Sequence, residues 1–193
     1  LEPASPSEQE QLRASLGVAP GTFLFGILAR IADYKGHLYL VHAAKLLKEQ
    51  GYTNFQVLVA GTGAFESEVE RAVNEMGVSD VVRLLGFRSD VGPLLSILDV
   101  QLNASYGTEA TSMALLEGMS LGLPTIASDY GGNPYVVTQG ETGLLFPSQD
   151  SQALARCMAQ LMDHPDDLSA MGRRAKEVFQ TRFTGEAFAR NTQ

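Results

Sequence analysis

Two carboxylates, Glu109 and Glu117, stand eight positions apart in EATSMALLE, the most apolar helical stretch of the chain. Glu117 sits inside the apolar run LLEGM. Burying a carboxylate costs several kcal/mol unless it is paired or holds a ligand, so this segment is expected to bind or do chemistry. Two cations, Arg30 and Lys35, lie in ARIADYKG, a loop after an apolar run. The spacing of the carboxylates limits what they can do together. Eight residues of helix rise ~12 Å at ~1.5 Å each, whereas the carboxylate pairs of glycoside hydrolysis sit ~5–9.5 Å apart. Glu109 and Glu117 therefore read as two separate contacts at opposite ends of a long ligand whose charge lies near the helix start. A nucleotide diphosphate-sugar has that layout, with hydroxyls at both ends for carboxylates to accept from and a diphosphate between.

The elements that must position these residues alternate helix and strand. A helix opens at Ser5-Pro6-Ser7-Glu8, with Ser5 as N-cap and Glu8 completing a capping box, and stops at Gly17. Residues 22–30 form an apolar run without alternation, as a strand buried on both faces requires. A helix follows from His37 to Gln50, then a strand over 55–61, a Gly61-Thr62-Gly63 turn and a helix from Phe65 to Met76. A strand over 81–86 precedes a short helix, capped by Asp90, that reaches Leu98. The fourth strand spans 99–105 and the carboxylate-bearing helix runs from Ala110 to Leu121. A strand over 124–128, a short helix at Asn133–Thr138 and a strand over 143–147 complete the sheet. Asp150 caps a helix to Met162, and a last helix spans Asp166–Phe183 with a basic face of Arg173, Arg174 and Lys176.

This pattern predicts an α/β fold with one doubly wound, six-stranded parallel sheet, Rossmann-like, forming a single domain over residues 1–193. In such sheets ligands bind beyond the carboxyl ends of the strands where the strand order reverses. With order 3-2-1-4-5-6, that crevice lies between strands one and four. Arg30 and Lys35 then face the carboxylate helix across it, and the helix N-terminus adds positive dipole for a phosphate.

Composition narrows the function further. Lys and Arg number 14 against 22 Asp and Glu, a net charge of −8. That argues against nonspecific nucleic-acid or anionic-membrane binding, so an anion must be held by a few local cations. No apolar run approaches the ~20 residues of a membrane span, and LEPASPSEQE does not read as a signal peptide. The one cysteine, Cys157, excludes an internal disulfide and fits a reducing, cytoplasmic setting. His37, His42 and His164 lack metal-ligand spacing, no Walker loop or GxSxG elbow occurs, and Glu66 stands where a dinucleotide fingerprint wants a third glycine after Gly61 and Gly63.

Taken in order, the motifs resemble the C-terminal, donor-binding half of family 4 (group 1) glycosyltransferases of the GT-B fold, over roughly residues 10 to 185. ARIADYKG resembles the family's GRL-x-x-x-KG segment, LVAGTGAFESEVE the loop after the second strand, and VVRLLGF the third strand and its end. EATSMALLEGMSLGLPTIASDYGGNPYVV is similar to the E-x7-E motif and its continuation, and GETGLLF to the last strand. The resemblance implies that Arg30 and Lys35 hold the donor diphosphate, Glu109 contacts the donor sugar and Glu117 the ribose. It places Gly61 and Gly63 beside the donor, and Leu85, Gly86 and Phe87 around the base. It implies a retaining transferase of hexose from a nucleotide diphosphate-sugar such as a UDP-sugar to a sugar, lipid or small-molecule acceptor. No metal or other cofactor is expected, since Arg30 and Lys35 do that work and no DxD pair appears.

The chain departs from the family pattern in three ways. Ala110-Thr111-Ser112 replaces the usual Gly-Phe-Gly, which leaves the sugar open and makes Ser112 a donor contact in its own right. Tyr135 replaces the Glu that usually follows Pro134. The N-terminal, acceptor-binding domain is not in this chain, so the expected partner is that missing domain and the chain alone is expected to be inactive. The full-length enzyme is then open to a membrane-peripheral setting, and apolar surface is expected near 30–36 and 105–112. A non-catalytic nucleotide-sugar-binding or regulatory module, and a GT-B epimerase or phosphorylase, are the alternative readings.

Overall fold

A computed structural model describes residues 1–107 and 112–184. Its strands are β1 (Phe23–Leu28), β2 (Phe55–Ala60), β3 (Val82–Gly86), β4 (Val100–Asn103), β5 (Thr125–Ser128) and β6 (Gly143–Phe146). They form one parallel sheet in the order β3-β2-β1-β4-β5-β6, the order expected of the doubly wound pattern. The order reverses between β1 and β4, which pair through Phe25–Val100 and Gly26–Gln101.

The helices are α1 (Pro6–Ser15), α2 (His37–Glu49), α3 (Glu66–Glu75), α4 (Val91–Ser96), α5 (Met113–Ser120), α6 (Asn133–Val136), α7 (Ser151–Asp163) and α8 (Pro165–Val178). Side chains of β1 and β2 divide between the two faces. Phe25, Ile27, Val57 and Val59 pack beneath α2, α3 and α7, while Leu24, Leu58 and Ala60 pack beneath α1 and α4. Leu115, Met119, Ala127, Val136 and Ala175 make a third cluster under α5, α6 and α8. With both faces covered, β1 reads as continuous apolar sequence. Gly26 is the gap in that run because a Cβ there would lie 2.3 Å from Leu98 Cδ1.

The expected caps at Ser5 and Asp150 are present, Ser5 as a full capping box with Glu8. Asp90 differs. It precedes α4, but its carboxylate accepts from Arg88 Nε at 2.8 Å and Nη2 at 2.5 Å instead of capping the helix. A bidentate guanidinium outcompetes a single backbone N–H for an ionised carboxylate. The helix expected from Ala110 starts at Met113, because Ser112 is extended (φ −76°, ψ 112°) and serves as its N-cap. The ~12 Å spacing assumed continuous helix from Glu109, so it does not carry over. The last α-helix ends at Val178 and widens into a π-helical turn at Phe179–Phe183.

The seating of α5 on the sheet depends on one buried polar side chain. Gln101 of β4 donates from Nε2 to Leu115 O at 2.9 Å and Thr125 Oγ1 at 2.8 Å. Gly118 makes room for it, since a Cβ there would lie 2.3 Å from the Gln101 amide. The LLEGM run is therefore apolar on the face toward the sheet, and its glycine lets the helix approach close enough for Gln101 to reach.

Candidate functional site

Two adjoining recesses open at the carboxyl ends of β1 and β4. The smaller, about 200 Å³, is walled by Lys35, Asn103, Ser105 and the first turn of α5 from Ser112 to Leu115. The larger, about 460 Å³, is walled by Arg30, Gly61, Thr62, Phe87, Arg88 and Glu117. Leu28, Ala29 and Ala114 border both. The reversal point of the sheet thus gathers Arg30, Lys35 and Glu117 along one continuous depression. Glu109 lies outside the described residues.

Each cation is placed by local backbone geometry. Lys35 ends a 3₁₀ turn (Asp33–Lys35) closed by Gly36 at φ 76°. A Cβ at Gly36 would sit 2.0 Å from Ala104 O, so only glycine lets this turn lie against the chain leaving β4. Lys35 Nζ lies 5.7 Å from the centre of the Tyr34 ring. Arg30 lies two residues beyond the end of β1 and is exposed. Beneath Lys35, His37 is buried and neither ring nitrogen has a hydrogen-bond partner. Burial, then the neighbouring Lys35 charge, push its pKa down to about 4, so the imidazole is neutral at pH 7.

Glu117 is half-buried at the wall of the larger recess. Its carboxylate makes no hydrogen bond or ion pair with a described residue. Here the apolar run around it does not mean deep burial. Glu117 sits on the flank of α5 that turns from the sheet to the opening, which leaves its oxygens available to a ligand. Arg88, on the same wall, is engaged by Asp90, so its charge is already compensated. The first N–H groups of α5 border the smaller recess and have no intrahelical acceptors.

The other residues singled out from sequence fall into two groups. Gly61 and Phe87 line the larger recess, with Phe87 77% exposed at its rim. Ser112 lines the smaller, but its hydroxyl is occupied as N-cap, accepting from Leu115 N at 3.4 Å. Gly63 and Leu85 border neither recess. A Cβ at Gly63 would meet Ile31 O at 2.1 Å, and Ile31 N donates to Thr62 O at 3.0 Å, so this glycine seats one loop on another. Leu85 packs into the cluster under α1 and α4. Leu85 lies within β3, whereas Phe87 follows its last residue, Gly86, whose φ of 69° turns the chain out of the sheet.

Sequence reasoning missed a buried polar network at the floor of the site. Asn103 Oδ1 accepts from Ser105 N at 3.0 Å and from Asn133 Nδ2 at 3.3 Å. Asn133 Nδ2 also donates to Ser128 Oγ at 3.1 Å, and Ser128 Oγ donates to Ser105 O at 2.5 Å. These bonds join the ends of β4 and β5 to the start of α6, and fix the loop that borders the smaller recess. Polar residues at the last positions of two buried strands were the available signal. Among the described residues no group of His, Cys, Asp and Glu is placed to hold a metal ion, and no helix is long and apolar enough to cross a membrane.

Comparison with known proteins gives a consistent result. The family model described as "Glycosyl transferases group 1" matches residues 8–178. EpsD of Bacillus subtilis strain 168, a protein assigned by name to the glycosyltransferases, is 33% identical over 178 residues, covering 92% of this chain and 46% of EpsD. The crystal structure of Anabaena Alr3699/HepE in complex with UDP and glucose superposes with a TM-score of 0.88 at 25% identity, covering 98% of this chain and 52% of that one. The C-terminal domain of the group 1 family protein LpcC from Francisella tularensis, 24% identical, shares the fold with a TM-score of 0.82 and covers 95% of this chain and 96% of its own. The chain spans about half the length of the curated relatives it matches. Strand order, the reversal-point depression and the match over residues 8–178 agree, and the chain belongs to the group 1 glycosyl transferases.

Proposed function

We propose that this chain is the donor-binding domain of a retaining glycosyltransferase that moves a hexose from a nucleotide diphosphate-sugar, a UDP-sugar foremost, to a sugar, lipid or small-molecule acceptor. One observation carries the reading: Arg30 and Glu117 wall one recess and Lys35 and the start of α5 wall the recess that adjoins it, all at the reversal point of the sheet. A diphosphate spanning the border at Leu28 and Ala29 meets both cations and the helix N-terminus. The ribose then falls toward Glu117 and the base toward Phe87. HepE, which has the same fold, was solved with UDP and glucose.

In this reading the chemistry is electrostatic. As the glycosidic bond breaks, negative charge builds on the departing diphosphate, and Arg30 and Lys35 meet it where the transition state needs it. Glu109 and Glu117 fix the two ends of the donor and so its geometry. No divalent metal takes part, and a second domain supplies the acceptor.

Calorimetric titration of the chain with UDP and GDP tests this. Binding of one of them is expected, weakened at least tenfold in Lys35→Ala and in Arg30→Ala and unaffected by EDTA. Absence of binding to both nucleotides, or full affinity in Lys35→Ala, would falsify the proposal.

A further inference from the structure

A charge that meets a diphosphate works best when held within about 0.5 Å of its productive position, yet Lys35 sits on a three-residue turn at the surface. Such a turn has little of its own to hold it. What holds this one is the segment leaving β4. The Tyr106 hydroxyl donates to Asp33 Oδ1 at 2.6 Å, and Tyr106 N donates to Tyr34 O at 2.8 Å. The next residue, Gly107, lies so close that a Cβ there would be 3.0 Å from Tyr34 Cβ. Tyr39 of α2 then packs edge-on against the Tyr106 ring, with centroids 5.7 Å apart and planes at 88°. Tyr106 thus grips both residues that precede Lys35, and its ring is fixed from the far side.

We propose that Tyr106 is a positioning residue for Lys35. Its hydroxyl and backbone N–H pin the Asp33–Lys35 turn to the chain behind β4, so that the ammonium group is held at the wall of the smaller recess before a diphosphate arrives. This rests on the nucleotide-sugar reading above for what Lys35 meets, and adds how the charge is held in place. The arrangement is economical because the same two loops border the crevice. Drawing them together both places the cation and sets the width of the smaller recess. Preorganisation of this kind removes ordering cost from the binding step.

Two measurements on the chain decide it. The first needs no ligand. Backbone ¹⁵N order parameters at Asp33, Tyr34 and Lys35 are expected near the rigid value of about 0.85, and to fall toward about 0.6 in Tyr106→Phe while the sheet residues keep theirs. Unchanged values in Tyr106→Phe overturn the proposal. The second is UDP affinity in a double-mutant cycle. Tyr106→Phe is expected to weaken UDP about fivefold alone but less than twofold in a Lys35→Ala background, because its effect runs through Lys35. Asp33→Asn keeps an acceptor for the hydroxyl and is expected to fall between wild type and Tyr106→Phe. Equal losses in both backgrounds overturn the positioning role. Should wild type bind neither UDP nor GDP, the donor-site reading fails and the diphosphate role of Lys35 with it, while the order parameters still decide whether Tyr106 holds the turn.

Discussion

At the scale of single residues, the site sets charged side chains beside one group that is forced neutral. His37 lies under Lys35 without a partner for either ring nitrogen, and its pKa is lowered to about 4 from an ordinary 6.5. Its neutrality spares Lys35 a second positive charge beside it, and it makes stability depend on pH. Below pH 6.5 the unfolded chain takes up a proton that folded His37 refuses until about pH 4, so stability is full above 6.5 and is lost as pH falls through that window. The shift corresponds to roughly 3 kcal/mol, about 2 of it gone by pH 5. Asp99 works the other way: burial raises its carboxyl, so its ionisation costs stability as pH rises. Comparison with His37→Leu separates the two. Urea unfolding at pH 7 and pH 5 should show a drop in wild type that exceeds the drop in His37→Leu by about 2 kcal/mol. Equal drops would count against a buried neutral imidazole. None of this was legible from His37 alone, since a histidine after a Lys-Gly pair carries no mark of its burial.

At the scale of elements, α5 decides the shape of both recesses, and its height above the sheet is set by the Gly118–Gln101 contact. Gly118→Ala would drive a methyl to 2.3 Å from an amide that is itself held by Leu115 O and Thr125 Oγ1. Overpacking of this kind costs about 1–3 kcal/mol. It should also lift Glu117 and the helix start, weakening nucleotide binding together with stability. Shortening the opposing side chain tests the cause: Gln101→Ala with Gly118→Ala should be more stable than the sum of the two single effects predicts, whereas strict additivity would place the damage elsewhere. Much at this scale could be read in advance. The alternation of apolar runs with helical periods marked every strand, because buried parallel strands and amphipathic helices leave different repeats, while the strand order came from the common doubly wound pattern. What escaped was decided by competition between neighbours. Asp90 has the residue type and position of a cap, and Arg88 two residues earlier takes its carboxylate. Ser112 looked like part of a sugar-facing surface and is consumed as the cap of a helix starting three residues later than its apolar pattern suggested. Tyr106 and Asp33 are distant in sequence and ordinary in type, so only the strand order brings them into contact.

At the scale of the whole molecule, the proposed ligand meets β1 and the chain behind β4, which belong to opposite halves of the doubly wound sheet. Within the sheet β1–β4 pairing joins the halves at the reversal point, with α2 packed on α7 and Tyr106 bonded to Asp33 across the same boundary, and the crevice opens at its carboxyl end. A nucleotide bound there touches both halves, so its binding energy should appear in global unfolding and not only in loop order. The expected size follows from mass action. At a ligand concentration one hundred times Kd, the folded state gains about 2.7 kcal/mol. For a chain of this length that raises Tm by about 5–10 °C. The shift should survive EDTA, should be larger for the preferred base, and should largely vanish in Lys35→Ala and Arg30→Ala. The net charge of −8 gives a further check, since it opposes an anionic ligand everywhere except at the focused cations. Inorganic pyrophosphate, which has the charge but neither base nor ribose, should therefore raise Tm much less than UDP does. An equal rise with pyrophosphate would mean that Phe87 and Glu117 contribute nothing, and would reduce the site to an anion hole.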